Sequence, residues 1–248
     1  MEQGVDLVVA SVEAVWPQLR QAPGPWLAAG ETRRLERIAD PGRAREFVAS
    51  RCLMRLLLSA HTGYDRGWWH WVLETPENAT PMVQACRIDG AALHLNLSHS
   101  QGLLACALSH HAVGVDLEVQ RGRPRRDLAG LMDLVCSPKE RSSLLELPDD
   151  AARQRAFTQL WTLKESYFKW RGTGLDLACL PKLCSSGERL GGALACCATG
   201  AGDWAGRAYD VSICTGDLPV KVRAVALAGV KIQELGQSPS NLMLEYEA

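Results

Sequence analysis

The sequence predicts an α+β fold in which one strand-plus-helix unit occurs twice, and three observations carry that reading. Residues 113–119 alternate Val113, Val115, Leu117 and Val119 with Gly114, Asp116 and Glu118, the period of two of a strand with one apolar face. Residues 150–172 carry Trp161, Glu165 and Lys169 at intervals of four, which puts them on one face of a long helix and turns Leu160, Leu163 and Tyr167 elsewhere to pack. Both patterns have earlier counterparts at one distance. Gly4-Val5-Asp6-Leu7 precedes Gly114-Val115-Asp116-Leu117 by 114 − 4 = 110 residues, and Arg43-x-Arg45-x-Phe47 precedes Arg153-x-Arg155-x-Phe157 by 153 − 43 = 110. A shared offset at two separate motifs points to a duplicated unit.

The first unit opens on the strand at residues 4–9. A helix spans about residues 43–60, with Phe47, Leu53, Leu56, Leu57 and Leu58 apolar and Gly63 as its stop. Residues 68–73, 91–97 and 103–108 read as strands. The boundary between halves falls near Ser109-His110-His111, dividing the chain into 1–110 and 111–248. In the second half, Ser137-Pro138-Lys139-Glu140 is a capping box with proline at the first helical position, opening a helix to about residue 147. The long helix ends at Gly172; residues 192–197, 209–214 and 220–228 read as a closing antiparallel set, and residues from 237 onward as a loose tail. By the offset of 110, Val8 takes the place of Glu118 in the first unit and Arg55 that of Glu165, so only the second unit carries the carboxylates.

A chain of 248 residues can bury the core of one large domain or of two small halves. Its formal net charge of −1 argues against a general nucleic-acid binder. The first residues show no basic and apolar leader, and the apolar run at 220–230 contains Lys221 and Arg223 and is too short to span a membrane. The nine cysteines are odd in number and scattered, with no C-x-x-C. That excludes the usual zinc spacing and points to buried thiols in a reducing, cytoplasmic compartment.

Asp116 and Glu118 project from the same face of their strand, about 6–7 Å apart, and can bracket a cation. Glu165 and Lys169 add a third carboxylate and an ammonium. Three hard oxygen ligands beside an ammonium suit a magnesium-dependent reaction at a phosphate. Either segment alone is also what a solvated strand face or a surface i, i+4 ion pair shows. Lys164, on the flank of the helix face, reads equally as a phosphate contact or a solvated lysine.

Together the segments Gly114-Val115-Asp116-Leu117-Glu118 and Trp161-Thr162-Leu163-Lys164-Glu165-Ser166-Tyr167-Phe168-Lys169 resemble the signature of 4′-phosphopantetheinyl transferases of the surfactin-synthetase-activating type. Asn96-Leu97-Ser98-His99-Ser100 and Gly172-Thr173-Gly174-Leu175 resemble two further elements of that family. The resemblance implies a pseudo-dimer of two similar α+β halves with coenzyme A as co-substrate. It implies transfer of the 4′-phosphopantetheine arm to a serine of an acyl or peptidyl carrier protein, releasing adenosine 3′,5′-bisphosphate. The family pattern assigns Mg2+, with Mn2+ as an alternative, to Asp116, Glu118 and Glu165. Glu165 becomes the general base, directly or through water, and Lys169 the group that steadies the leaving phosphate. Coenzyme A contacts fall on His99 (toward the 3′-phosphate), Ser98, Lys169, Arg51 and Arg45, the arginines being equally open to structural ion pairing. A basic loop, Arg121, Arg123 and Arg125, followed by Leu128, Leu131 and Met132, offers a docking surface for an acidic carrier.

The chain departs from the family in one place: a basic residue expected before the proline at 81 is Thr80, so another group must hold the nucleotide there. The family fold further implies a monomer. Two other readings remain: a magnesium-dependent pyrophosphohydrolase using the same carboxylates, and a non-catalytic carrier-binding module. The first leaves the Asn96–Ser100 segment and the basic loop unexplained, and the intact carboxylate set argues against the second.

Overall fold

The computed structural model describes residues 4–63, 67–73, 84–88, 91–120, 127–186, 195–216, 220–233, 235 and 240–246. In chain order, β1 (Val5–Ser11) runs into a short helix α1 (Val12–Val15), then α2 (Ala29–Glu36) and the long α3 (Pro41–Thr62). Strands β2 (Gln84–Ile88), β3 (Ala91–Ser100), β4 (Leu103–Ser109) and β5 (Val113–Val119) follow. Helices α4 (Leu128–Val135), α5 (Pro138–Leu145) and the long α6 (Asp150–Arg171) come next. The chain closes with β6 (Leu183–Ser186), β7 (Ala195–Trp204), β8 (Arg207–Thr215), β9 (Val222–Ala224) and β10 (Ser240–Tyr246).

The strands form two five-stranded sheets, ordered β2-β3-β4-β1-β9 and β5-β8-β7-β10-β6. Their inner faces share one core: Val5, Leu7, Val9, Leu103, Ala105 and Ala107 meet Val113, Val115, Leu117, Val119, Val211 and Ile213. Leu53, Leu57 and Leu58 of α3 pack with Val8, Ala10, Leu95 and Leu108 of the first sheet, and Phe157, Leu163 and Tyr167 of α6 with Cys197 and Cys214 of the second. The fold is α+β, as the sequence predicts. Among the described residues no helix is long and apolar enough to cross a membrane. The described cysteines are free thiols, six of them buried.

The duplicated unit is visible in its caps. Helices α3 and α6 each run 22 residues. Asp40 accepts the Arg43 N–H and Asp149 the Ala152 N–H, covering orphan donors of the first turn. Both helices end on a left-handed glycine, Gly63 (φ 66°) and Gly172 (φ 65°). These helix ends register at 149 − 40 = 109 and 172 − 63 = 109, one residue short of the strand offset. Lys164, not Glu165, therefore stands in the place of Arg55, and the buried chemistry agrees. Arg55 Nη2 pairs with Glu31 at 2.6 Å and Lys164 Nζ with Glu140 at 2.6 Å, and 140 − 31 is again 109. Each glutamate also caps its own helix, accepting the Ala28 or Ser137 N–H.

Elsewhere the structure corrects the sequence reading. Residues 68–73 are not a strand: Trp68–His70 forms a 3-10 turn entered through Gly67 at φ 94°. Trp68 is buried edge-on against Trp26 and Trp69, so the β-favouring aromatics serve core packing instead. Of residues 220–228 only β9 is a strand, and it pairs parallel with β1 in the first sheet rather than closing the second. The expected loose tail contains β10, which pairs antiparallel with both β7 and β6. The alternation of Leu242, Leu244 and Tyr246 was the signal for it.

Candidate active site

Asp116 and Glu118 occupy the face of β5 opposite the shared core, with Gly114 preceding them on that face. The glycine is needed for the approach of α6. A Cβ at Gly114 would stand 2.0 Å from the Ser166 carbonyl and 2.4 Å from the Trp170 nitrogen, both backbone atoms. The missing side chain lets the helix backbone settle on the strand, and Glu165 and Lys169 come down beside Asp116.

Lys169 Nζ donates to Asp116 Oδ1 at 2.6 Å and to Ser98 Oγ at 2.9 Å, while Ser98 Oγ donates to the same Asp116 oxygen at 2.8 Å. The Asn96–Ser100 segment forms β3's link to β5. Asn96 Oδ1 accepts the Val115 N–H at 2.9 Å, and Ser100 Oγ donates to Glu118 Oε2 at 2.9 Å. Asn96, Ser98 and Ser100 share one face of β3 by the period of two, so the three side chains address three successive stretches of β5. Ser98, expected at the coenzyme, lines the cavity and also orients Asp116, and the part of Ser100 was missed although its spacing announced it.

The charge balance is uneven. Asp116 Oδ2 is buried and, among the described residues, has no hydrogen-bond partner. The Glu165 carboxyl faces Asp116, and its pKa is pushed up to about 8, first by burial and then by the negative charge of Asp116, with Glu118 adding and Lys169 opposing. Two facing carboxylates need a proton or a cation between them. An orphaned buried oxygen within a set of hard oxygen donors fits Mg2+ chemically. Among the described residues no three acidic, histidine or cysteine groups already converge as a coordination set.

These residues form the floor of a cavity of about 380 Å³ whose other wall comes from the first half: Arg34, Arg43, Glu46, Phe47, Ser50 and Arg51, with His99 between the two. Arg51 is buried, set over the Phe47 ring at 4.6 Å and 3.4 Å from Glu31 Oε1; burial brings its pKa down to about 10. Arg45 does not line the cavity: its guanidinium stacks 4.6 Å over the Trp16 ring. Arg34 and Arg43, neither expected at the site from the sequence, are exposed cations of this wall. No local pattern marks them, because α2 and the start of α3 meet β3 only in the fold.

Lys164 is fully buried, donating to the Val135 carbonyl (2.8 Å), Glu140 (2.6 Å) and the Leu180 carbonyl (2.9 Å). It is a structural clamp, not a phosphate contact. Arg121, Arg123 and Arg125 lie outside the described residues. Leu128 and Leu131 pack partly against the α6 core and Met132 is buried in it, so the apolar contact area expected there is smaller; Leu134 is the exposed leucine of α4.

Residues 112–212 match the family model described as the 4′-phosphopantetheinyl transferase superfamily. Over that stretch the chain is similar to the 4′-phosphopantetheinyl transferase superfamily. The matched segment takes in β5, α6 and most of β8, hence Asp116, Glu118, Glu165 and Lys169. The chain is 34% identical over 150 residues to 4′-phosphopantetheinyl transferase HetI of Nostoc sp., covering 60% of this chain and 61% of that protein. It is 31% identical over 134 residues to 4′-phosphopantetheinyl transferase psf-1 of Bacillus pumilus (54% and 52%). With 4′-phosphopantetheinyl transferase Sfp of Bacillus subtilis it shares 32% over 92 residues (37% and 39%). The match thus spans less than two thirds of each of these transferases.

Proposed function

We propose that this protein transfers the 4′-phosphopantetheine arm of coenzyme A to a serine of an acyl or peptidyl carrier protein, converting apo to holo carrier. The observation that carries the reading is one cavity with an acidic floor, Asp116, Glu118 and Glu165 beside Lys169, facing a wall of arginines and His99. That pairing suits a pyrophosphate with a further phosphate at its nucleotide end. Residues 1–110 then supply the nucleotide wall and 111–248 the reacting centre and carrier surface, with β9 returning to the first sheet.

The serine oxygen forms a bond to the β-phosphorus, the bond to the bridging oxygen breaks, and adenosine 3′,5′-bisphosphate leaves with the electron pair. Glu165 takes the serine proton, directly or through water. Burial and the charges of Asp116 and Glu118 raise its proton affinity in the metal-free cluster, and a bound cation would lower it again, which favours relay through water. Lys169, now satisfied by Asp116 and Ser98, is the cation placed to steady charge on the leaving phosphate. Asp116, Glu118 and Glu165 would hold Mg2+, or Mn2+, which supplies charge neutralisation and orientation of the phosphates. Ser98 and Ser100 fix the two strand carboxylates. His99, Arg34, Arg43 and Arg51 bind the nucleotide end, the arginines standing in for the basic residue absent at Thr80. Docking of an acidic carrier is assigned to Arg121, Arg123, Arg125 and Leu128 by their position in sequence after β5. The cytoplasm is the compartment that suits these substrates and the free thiols.

Intact-mass measurement of apo carrier proteins incubated with the protein, coenzyme A and Mg2+ tests the proposal. A gain of one phosphopantetheine arm, abolished by chelator, is expected. Unchanged carriers with nucleotide released would replace transfer by hydrolysis.

A further inference from the structure

Glu46 stands out by its charge. It lines the wall that otherwise gathers Arg34, Arg43, Arg51 and His99, where a carboxylate repels any phosphate-bearing ligand. Both of its oxygens are engaged. Oε1 accepts the Gly102 N–H at 3.1 Å, and Oε2 lies 3.2 Å from His99 Nδ1. Gly102 closes the turn between β3 and β4, where Gln101 and Gly102 both hold positive φ, 51° and 86°. That conformation fixes the direction of the N–H and so the carboxylate bound to it. The bond from His99 is the largest influence holding the Glu46 carboxyl below its ordinary range. The ring is half-exposed and lines the cavity; with Nδ1 held from α3, Nε2 is the nitrogen left to meet a ligand.

We infer that Glu46 is a positioning residue: it anchors the His99 imidazole by Nδ1 so that Nε2 reads the 3′-phosphate of coenzyme A. The inference rests on the coenzyme A reading of the cavity. An otherwise unfavourable charge is kept because the histidine it orients, alone on a strand, would sample several rotamers.

Equilibrium binding of coenzyme A and of 3′-dephospho-coenzyme A, without metal or carrier, tests it on the wild type, Glu46→Ala, Glu46→Gln, His99→Ala and the Glu46→Ala/His99→Ala double variant. Glu46→Ala should weaken coenzyme A about tenfold and the dephospho form less than about twofold. Glu46→Gln can still accept from Gly102 and donate to Nδ1, so it should recover most of the loss. In the His99→Ala background, Glu46→Ala should cost nothing more. Equal losses for both ligands, additive losses in the double variant, or tighter coenzyme A binding by Glu46→Ala would each overturn the assignment while the cavity still binds coenzyme A. A wild type that binds neither ligand would overturn the coenzyme A reading itself, and this assignment with it.

Discussion

Replacing Lys164 by methionine separates a clamp from a phosphate contact. The ammonium is wholly buried and its three donors are taken by Glu140 and by the carbonyls of Val135 and Leu180, joining α4, α5 and the turn after α6. Methionine keeps the length and apolar body of the stem, so little cavity opens and the loss is electrostatic. Glu140 keeps the Ser137 and Ser185 N–H donors but loses its counter-charge, and two carbonyls lose a donor. Breaking a buried pair from one side costs about 3–5 kcal/mol. Set against a domain stability of about 5–15 kcal/mol, that is a large share. Urea unfolding at pH 7 measures it, with Glu140→Gln/Lys164→Met expected to recover part of the loss because no lone charge remains. A Lys164→Met protein within about 1 kcal/mol of wild type but without turnover would refute the clamp and return Lys164 to the substrate.

Gly114→Ala should destabilise by about 3 kcal/mol, because its Cβ meets backbone that cannot rotate away; a wild-type urea midpoint would show that α6 is not in close contact. Asp116→Ala should abolish metal-dependent turnover with the fold retained, and an unaltered rate at limiting Mg2+ would remove Asp116 from the site. Glu165→Gln tests the raised carboxyl through stability in chelator. Because the native state holds its proton more tightly than the unfolded chain, the wild type's Glu165 contribution is full below pH 4.5 and is lost as pH rises to about 8. The wild-type-minus-variant difference should therefore fall across that window, by no more than about 1.4 kcal/mol per pH unit. A flat difference would mean Glu165 is an ordinary carboxylate.

What the sequence shows well is what repeats locally. The alternation at 113–119 buries Val113, Val115, Leu117 and Val119 almost completely, and the spacing of Glu165 and Lys169 does place them together beside Asp116. Capping residues mark both long helices. What it hides is pairing across distance. Glu46 and Arg43 reach His99's neighbourhood only because α3 lies against the β3–β4 turn, and nothing periodic announces a contact between residues 46 and 102. The parallel pairing of β9 with β1 joins Asp6 to Arg223 across most of the chain. Lys164 misled for a different reason: a lysine next to a candidate general base looks functional, but one residue turns a helix by about 100° and took this one into the core.

The two units show how a duplicated carboxylate becomes chemically distinct. Asp6 and Asp116 occupy equivalent strand positions. Both oxygens of Asp6 are matched, by Arg223 Nε at 2.6 Å, Arg223 Nη2 at 2.8 Å and His61 Nδ1 at 2.6 Å. Burial works against ionisation there, yet the Arg223 and His61 bonds outweigh it and hold the carboxyl below its usual range. Around it, Val8 stands where the second unit has Glu118, and by the helix register of 109 Leu56 stands where it has Glu165. The first unit thus sets one carboxylate against an arginine and a histidine. The second sets three carboxylates around one lysine and, among the described residues, leaves an Asp116 oxygen with no donor. Meanwhile the structural ion pair is kept in both copies, Glu31–Arg55 and Glu140–Lys164, so the scaffold tolerates the difference. The proposed function rests on that imbalance: a carboxylate fully matched by protein cations has nothing left to offer a phosphate's counter-ion, whereas an under-matched cluster held by Ser98 and Ser100 is stabilised by whatever cation or proton enters it.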